Sequence, residues 1–150
     1  MAETTANQLR LQSAAIVDIS GHQVTIHSDP QGQPNAMTAS YRFVNLSNNV
    51  AKDIEIDVQF WINLPGTYRK TSTRNFLSPT KSFWMNMHIP TTSPESQKLS
   101  EGFGMINLAF RIKWINPLGE ESINAFHRRL IRNPGTDKWV SNSIAGGQDE

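Results

Sequence analysis

The chain has no cysteine, which removes disulfides, thiolate metal sites and a cysteine nucleophile and leaves the redox compartment open. It has no apolar run approaching the ~18 residues that a membrane-spanning helix needs, and residues 1–12 are too polar for a secretion leader. As written it reads as soluble, with a periplasmic or cell-surface setting open only if other sequence exports it. No stretch of ten or more residues carries a helical period, and no internal repeat stands out. A Gly-x-Ser-x-Gly elbow, a Gly-rich phosphate loop and a zinc-helix motif are all missing, so the sequence offers neither an enzyme nor a cofactor.

Charge of one sign is missing too: the formal net charge is +1. Residues 1–60 carry three basic and six acidic side chains, and residues 61–150 carry eleven and seven. The basic residues are spread over several segments, which argues against nucleic acid as a partner. A chain of 150 residues with 37% hydrophobic content is long enough to bury one core. We expect one domain over 1–150, with 1–7 and 141–150 flexible.

What is present is alternation. From Asp53 to Ile62 apolar residues take the even positions, while Asp53, Glu55, Asp57 and Gln59 take odd ones, the period of a half-buried strand. This predicts a central strand over 51–64. The polar Ser47-Asn48-Asn49 before it predicts a turn, with 41–46 returning as its hairpin partner.

Strands are also expected at 8–19 and 22–28, folded on each other through Gly21, and at 37–46. A short edge strand or ordered loop is expected at 68–74. Phe83, Met85, Met87 and Ile89 alternate in the next strand, followed by an exposed loop over 90–102. Ile106, Leu108, Phe110, Ile112 and Trp114 mark a second central strand. Asn116-Pro117-Leu118-Gly119 is a turn with glycine where positive φ is needed, so 121–131 should return antiparallel.

Short strands at this spacing predict a single antiparallel β-sandwich of seven to eight strands with immunoglobulin-like order. A small closed β-barrel built from the same strands is the alternative, because alternation does not separate the two. The expected core is Val17, Val24, Ile26, Tyr41, Phe43, Ile54, Ile56, Val58, Phe60, Phe83, Met85, Met87, Leu108, Phe110, Ile112 and Trp114.

The run Tyr41-Arg42-Phe43-Val44-Asn45-Leu46-Ser47-Asn48-Asn49-Val50-Ala51-Lys52-Asp53-Ile54-Glu55-Ile56 is similar to the strand, Asn, turn, Ala, strand signature of bacterial immunoglobulin-like modules of the CARDB type. Leu77-Ser78-Pro79-Thr80-Lys81 resembles the Leu-x-Pro segment that precedes a strand in those modules, and 114–119 resembles their aromatic, turn, Gly hairpin. Ser47 and Asn116 stand where the family commonly has Gly and Asp. The resemblance covers about 41–131. It implies a sandwich serving as an accessory binding or spacer module of bacterial origin, and no catalytic residues.

The four histidines do not make a metal site in sequence: His22 and His27 are five apart and point to opposite faces, and His88 and His127 lie on separate strands. His88 should face solvent. Asp53, Glu55 and Asp57 line one strand face, where catalysis would need one carboxyl in an apolar pocket. They are better explained as cross-strand partners of Arg111 and Lys113.

Trp61 and Trp84 fall on the outward register, which suggests an interface or a ligand platform, with the equal alternative that a loop such as 65–82 or 90–102 folds over them. Arg128, Arg129 and Arg132 near the end of the last strand are candidates to bind phosphate or nucleic acid, the minor reading because no aromatic platform is defined beside them. The expected function is a non-catalytic protein-interaction or structural module, acting on a protein partner or a second copy. A small-ligand-sensing β domain is the alternative.

Overall fold

A computed structural model describes residues 14–32, 34–62, 68–90, 105–132 and 138–143. Its strands are β1 (Val17–Ser28), β2 (Pro34–Asn45), β3 (Ala51–Trp61), β4 (Tyr68–Leu77), β5 (Ser82–Pro90), β6 (Met105–Ile115), β7 (Glu121–Arg132) and β8 (Trp139–Ser143). They form two antiparallel sheets, a three-stranded one in the order β1-β2-β5 and a five-stranded one in the order β4-β3-β6-β7-β8. The sheets stay open and face each other over one apolar core, so the molecule is an antiparallel β-sandwich and not a closed barrel.

The alternating runs form the strands they predict. Ile54, Ile56, Val58 and Phe60 of β3, Phe83, Met85, Met87 and Ile89 of β5, and Ile106 through Trp114 at every second position of β6 are buried, while Glu55, Gln59, Trp84 and His88 between them are exposed. The β6–β7 hairpin forms at 116–120, with Gly119 at φ +90°. Residues 68–74, expected as a short edge strand or a loop, belong to the ten-residue edge strand β4.

The hairpin expected between 41–46 and the central strand does not form. β2 pairs with β1 and β5, whereas β3 pairs with β4 and β6 in the other sheet. Residues 46–50 arch across the sandwich because Asn45 holds them there. Its side-chain amide donates to the carbonyls of Asn49 at 2.7 Å and Leu77 at 2.9 Å. Its Oδ1 accepts from the Ser47 backbone at 3.0 Å and the Ser47 hydroxyl at 2.6 Å. The Asn45 backbone donates to Lys81 O and accepts from Thr80 N. One fully buried side chain thus joins two of the three chain crossings between the sheets, 45–51 and 77–82.

Residues 17–28 form one strand, where two joined through Gly21 are expected. The ladder shifts register between Ile19 and Gly21, leaving Ser20 as a bulge that reverses the side-chain parity. Val17 and Ile19 point inward before it, and Val24 and Ile26 after it. Val24 and Ile26 are only partly buried, because β1 is an edge strand. The chain also stays ordered past Val140, expected to fray from 141: β8 pairs with β7 through Ser143. The expected flexible segments 1–7 and 144–150, and loop residues 91–102, lie outside the described residues.

A second asparagine pins the same end. Asn116 Oδ1 accepts from Ala15 N at 2.8 Å and Trp114 Nε1 at 3.1 Å, and its amide donates to Ser122 Oγ at 2.7 Å. Deeper in, Phe110 is the hub, with ring centroids 4.9 Å from Tyr41, 6.0 Å from Phe43 and 5.0 Å from Phe126.

Replacing Phe110 by Ala should cost about 3–5 kcal/mol by opening a cavity that three rings cannot fill. Asn45→Ala should cost about 3 kcal/mol or more, since it leaves buried backbone groups without partners. Urea denaturation measures both. Asn45→Ala losing under about 1 kcal/mol would show that the arch holds without its amide.

Candidate functional site

The charged face lies on the outside of the five-stranded sheet. As expected, β3 and β6 are neighbours, with Glu55 opposite Lys113 and Asp57 opposite Arg111. Lys113 Nζ lies 2.9 Å from Glu55 and 3.7 Å from Glu121 on β7. The hydrogen bond to Glu55 and the charge of Glu121 raise the Lys113 pKa. Asp57 does not take Arg111. Arg69 on β4 grips it with Nε at 2.9 Å and Nη2 at 2.6 Å, which raises the Arg69 pKa. A planar fork approaching diagonally from the edge strand matches both carboxylate oxygens.

Asp53 is not part of the regular grid. It sits at φ 48°, in the irregular stretch of the β3–β6 ladder between Lys52 and Glu55. Its neighbourhood is a shallow groove of about 420 Å³ that also includes Thr73, Arg74, Asn75, Lys113 and Glu121. Glu55 and Asp57 are thus held as ion pairs, the pattern of a sheet fixing its own register. Trp61, opposite Asn107 at the end of β3, is outward but half-buried.

Trp84 occupies the other outer face, that of the three-stranded sheet, so the two outward tryptophans form no joint platform. Trp84 is 47% exposed. Opposite it on β2, the Arg42 guanidinium lies 5.9 Å from the ring centroid and is steadied by its Nε donating to Ser20 Oγ at 2.8 Å. Along the same face Ser40 donates to Asn86 at 2.6 Å, and His27 hydrogen-bonds Thr38 at 2.9 Å beside His88, 6.3 Å away. His88 is exposed, and His22 lies on the other side of β1 from His27, both as expected.

Arg128 and Arg129, adjacent in sequence, are separated by the pleat. Arg129 shares the outer register of Asn107 and Asn142, whereas Arg128 takes the inward register between buried Phe126 and Leu130. The Arg128 guanidinium lies 5.7 Å from the Phe126 ring centroid. It lines a cleft of about 230 Å³ at the seam of β1 and β8, with Ile19, Ser20, Gly21, His22, Tyr41 and Ser141.

Two contacts across that seam join the sheets. Tyr41 Oη is 2.8 Å from Ser141 Oγ, and His22 donates through Nε2 to Trp139 O at 2.8 Å. Burial pushes the Tyr41 pKa up to about 12, against the downward pull of Ser141 and Arg128. This cluster is missed in sequence because Ser20 and the two apolar sets of β7 hide the parity. The available signal is position 128 itself, an arginine at even spacing between Phe126 and Leu130.

No family model matches the chain, and no curated protein matches it. Among solved structures, a Bordetella pertussis protein provisionally named ApaA is similar, with a TM-score of 0.51 at 14% identity, over 82% of this chain and 96% of that one. A structural-genomics target aligns with a TM-score of 0.48 at 12% identity, over 83% of this chain and 91% of the other. A provisionally named late embryogenesis abundant protein gives 0.40 at 8%, over 96% of this chain and 80% of that one. The first likeness is one of fold alone.

Tyr41 generates a pH prediction. Its pKa in the fold, about 12, lies above the ordinary value of about 10, so the unfolded chain loses that proton first. The contribution is intact below about pH 10 and is lost as pH rises toward 12, by roughly 2–3 kcal/mol. Tyr41→Phe should flatten stability between pH 9.5 and 12 in urea titrations, and an unchanged slope would rule out this phenol as the cause.

Proposed function

We propose that this protein is a non-catalytic interaction module of immunoglobulin-like type, an accessory domain akin to the bacterial modules of the CARDB type. It engages a protein partner or a second copy through the outer face of the three-stranded sheet. The observation that carries this reading is Trp84, a large ring nearly half exposed on the polar outer face of edge strand β5. Around it Arg42, Ser40 and Asn86 offer fixed hydrogen-bonding groups. One aromatic anchor ringed by polar contacts is how interface energy is usually distributed.

The strand order supports the immunoglobulin-like reading. With strands lettered in chain order, β1-β2-β5 facing β4-β3-β6-β7 corresponds to A-B-E against C′-C-F-G, and β8 adds an eighth strand. The carboxylates of the opposite face support a structural role for that face, since Arg69 and Lys113 hold them in ion pairs. Exposed pairs of this kind contribute only about 0–1 kcal/mol each to anything that docks there.

Trp84→Ala should therefore weaken self-association or partner capture by roughly 30-fold, the equivalent of about 2 kcal/mol, with unfolding free energy unchanged within about 0.5 kcal/mol. Trp61→Ala, on the other face, should have the smaller effect. Analytical ultracentrifugation over a concentration series, with urea denaturation beside it, gives both quantities. If Trp84→Ala unfolds the domain as Phe110→Ala does, the ring belongs to the core and the interface reading fails.

A further inference from the structure

We propose that the cleft at the β1–β8 seam is a binding site for a small oxyanion, the phosphate or carboxylate group of a small ligand. The site lies apart from Trp84, sharing Ser20 with the polar network around that ring, and does not depend on the reading given to that face.

Arg128 is the starting point. It occupies a register position whose neighbours on the same side of β7, Phe126 and Leu130, are both buried in the core. Placing a guanidinium there costs desolvation that an apolar residue would avoid. The Phe126 ring steadies the guanidinium, and arginine offers five N–H donors in a fixed plane, the arrangement that matches an oxyanion.

The rest of the lining agrees with an anion. The Tyr41 and Ser141 hydroxyls meet at 2.8 Å on the cleft wall, and either can turn its proton toward an acceptor. Ser20 and Gly21 line the opposite side at the bulge, where the regular ladder is broken; bulges recur beside binding sites because they re-aim the chain. Among the described residues that line the cleft there is one arginine and no Asp or Glu. The described lining thus offers an anion one guanidinium and the Tyr41 and Ser141 hydroxyls with no carboxylate beside them, in a half-buried setting where charge is screened less than in open water.

The size also fits. The cleft's volume of about 230 Å³ equals that of nearly eight waters at ~30 Å³ each. That is too much for one structural water, and enough for an oxyanion with part of the group that carries it.

The full chain, titrated with inorganic phosphate, acetate and a nucleoside monophosphate and followed by amide NMR, tests this. Saturable shifts centred on Gly21, His22, Arg128 and Ser141 are expected with at least one of the three. The nucleotide separates a carried phosphate from a free one, and acetate identifies a carboxylate site. Arg128→Gln should weaken binding by roughly tenfold or more, while Lys52→Gln, an exposed basic change on β3, should leave it unchanged. Because Arg128→Gln alters the interior, Tyr41→Phe provides a second variant that keeps the ring and removes one hydroxyl; it should weaken binding while the domain stays folded. Absence of saturable binding by all three probes, shifts centred away from the cleft, or equal affinity in both cleft variants and the parent would overturn the proposal. Trp84→Ala binding the anion normally, whatever its effect on association, keeps the two readings apart.

Discussion

Asn45 fixes one end of the sandwich through the hydrogen bonds it makes to two of the crossings between the sheets. A sandwich needs its chain to leave one sheet and enter the other, and every such crossing takes backbone donors and acceptors away from a ladder. Here two crossings run side by side, and the Asn45 side chain and backbone satisfy polar groups of both. An asparagine suits the position because it alone supplies two donors and an acceptor on so short a stem. Once that end is fixed, the register of β2 against β5 and of β3 against β4 follows, and with it the facing of the aromatic core. Apolar burial supplies most of the free energy but is non-directional; directional contacts such as the Asn45 amide and the Glu55–Lys113 pair add the preference for particular neighbours.

That division explains what could be read from the residues and what could not. Strands β3, β5 and β6 were legible because each buries one face with an unbroken period of two, so Ile54, Phe83 and Leu108 announced their own orientation. The pairing of β3 with β6 followed from the same residues, through complementary charges at Glu55 and Lys113. The partner of residues 41–46 was not legible: Ser47-Asn48-Asn49 are turn residues in a hairpin and in an arch alike, and the difference lies in carbonyls of Asn49 and Leu77 that only the fold brings to Asn45. The bulge at Ser20 concealed a continuous β1, since a parity change looks like a strand break when no partner strand is visible.

The candidate site was legible in part. The outward position of Trp84 followed from periodicity, whereas the Arg42 beside it depends on β2 pairing with β5, which periodicity does not encode. The two arginines of β7 are a sharper case: adjacent in sequence, they lie on opposite sides of the sheet, and only Arg128 reaches the seam where Tyr41 and Ser141 meet. Residues from β1, β2, β7 and β8 form that seam, so no local motif could have announced it. The charged grid illustrates the reverse, being conspicuous in sequence and structurally self-contained.

The polarity of β4 has a consequence for how copies of the protein meet. Open edges invite strands from other molecules, and a ten-residue edge is long enough to template a mixed sheet. β4 carries Arg69, Lys70 and Arg74 and no acidic residue, with Asp57 of the neighbouring strand compensating only one of them. Two molecules aligned edge to edge at β4 would bring like charges into register, where repulsion opposes every added backbone bond. The strand thus opposes sheet extension and fibre growth at its own edge, one of four beside β1, β5 and β8.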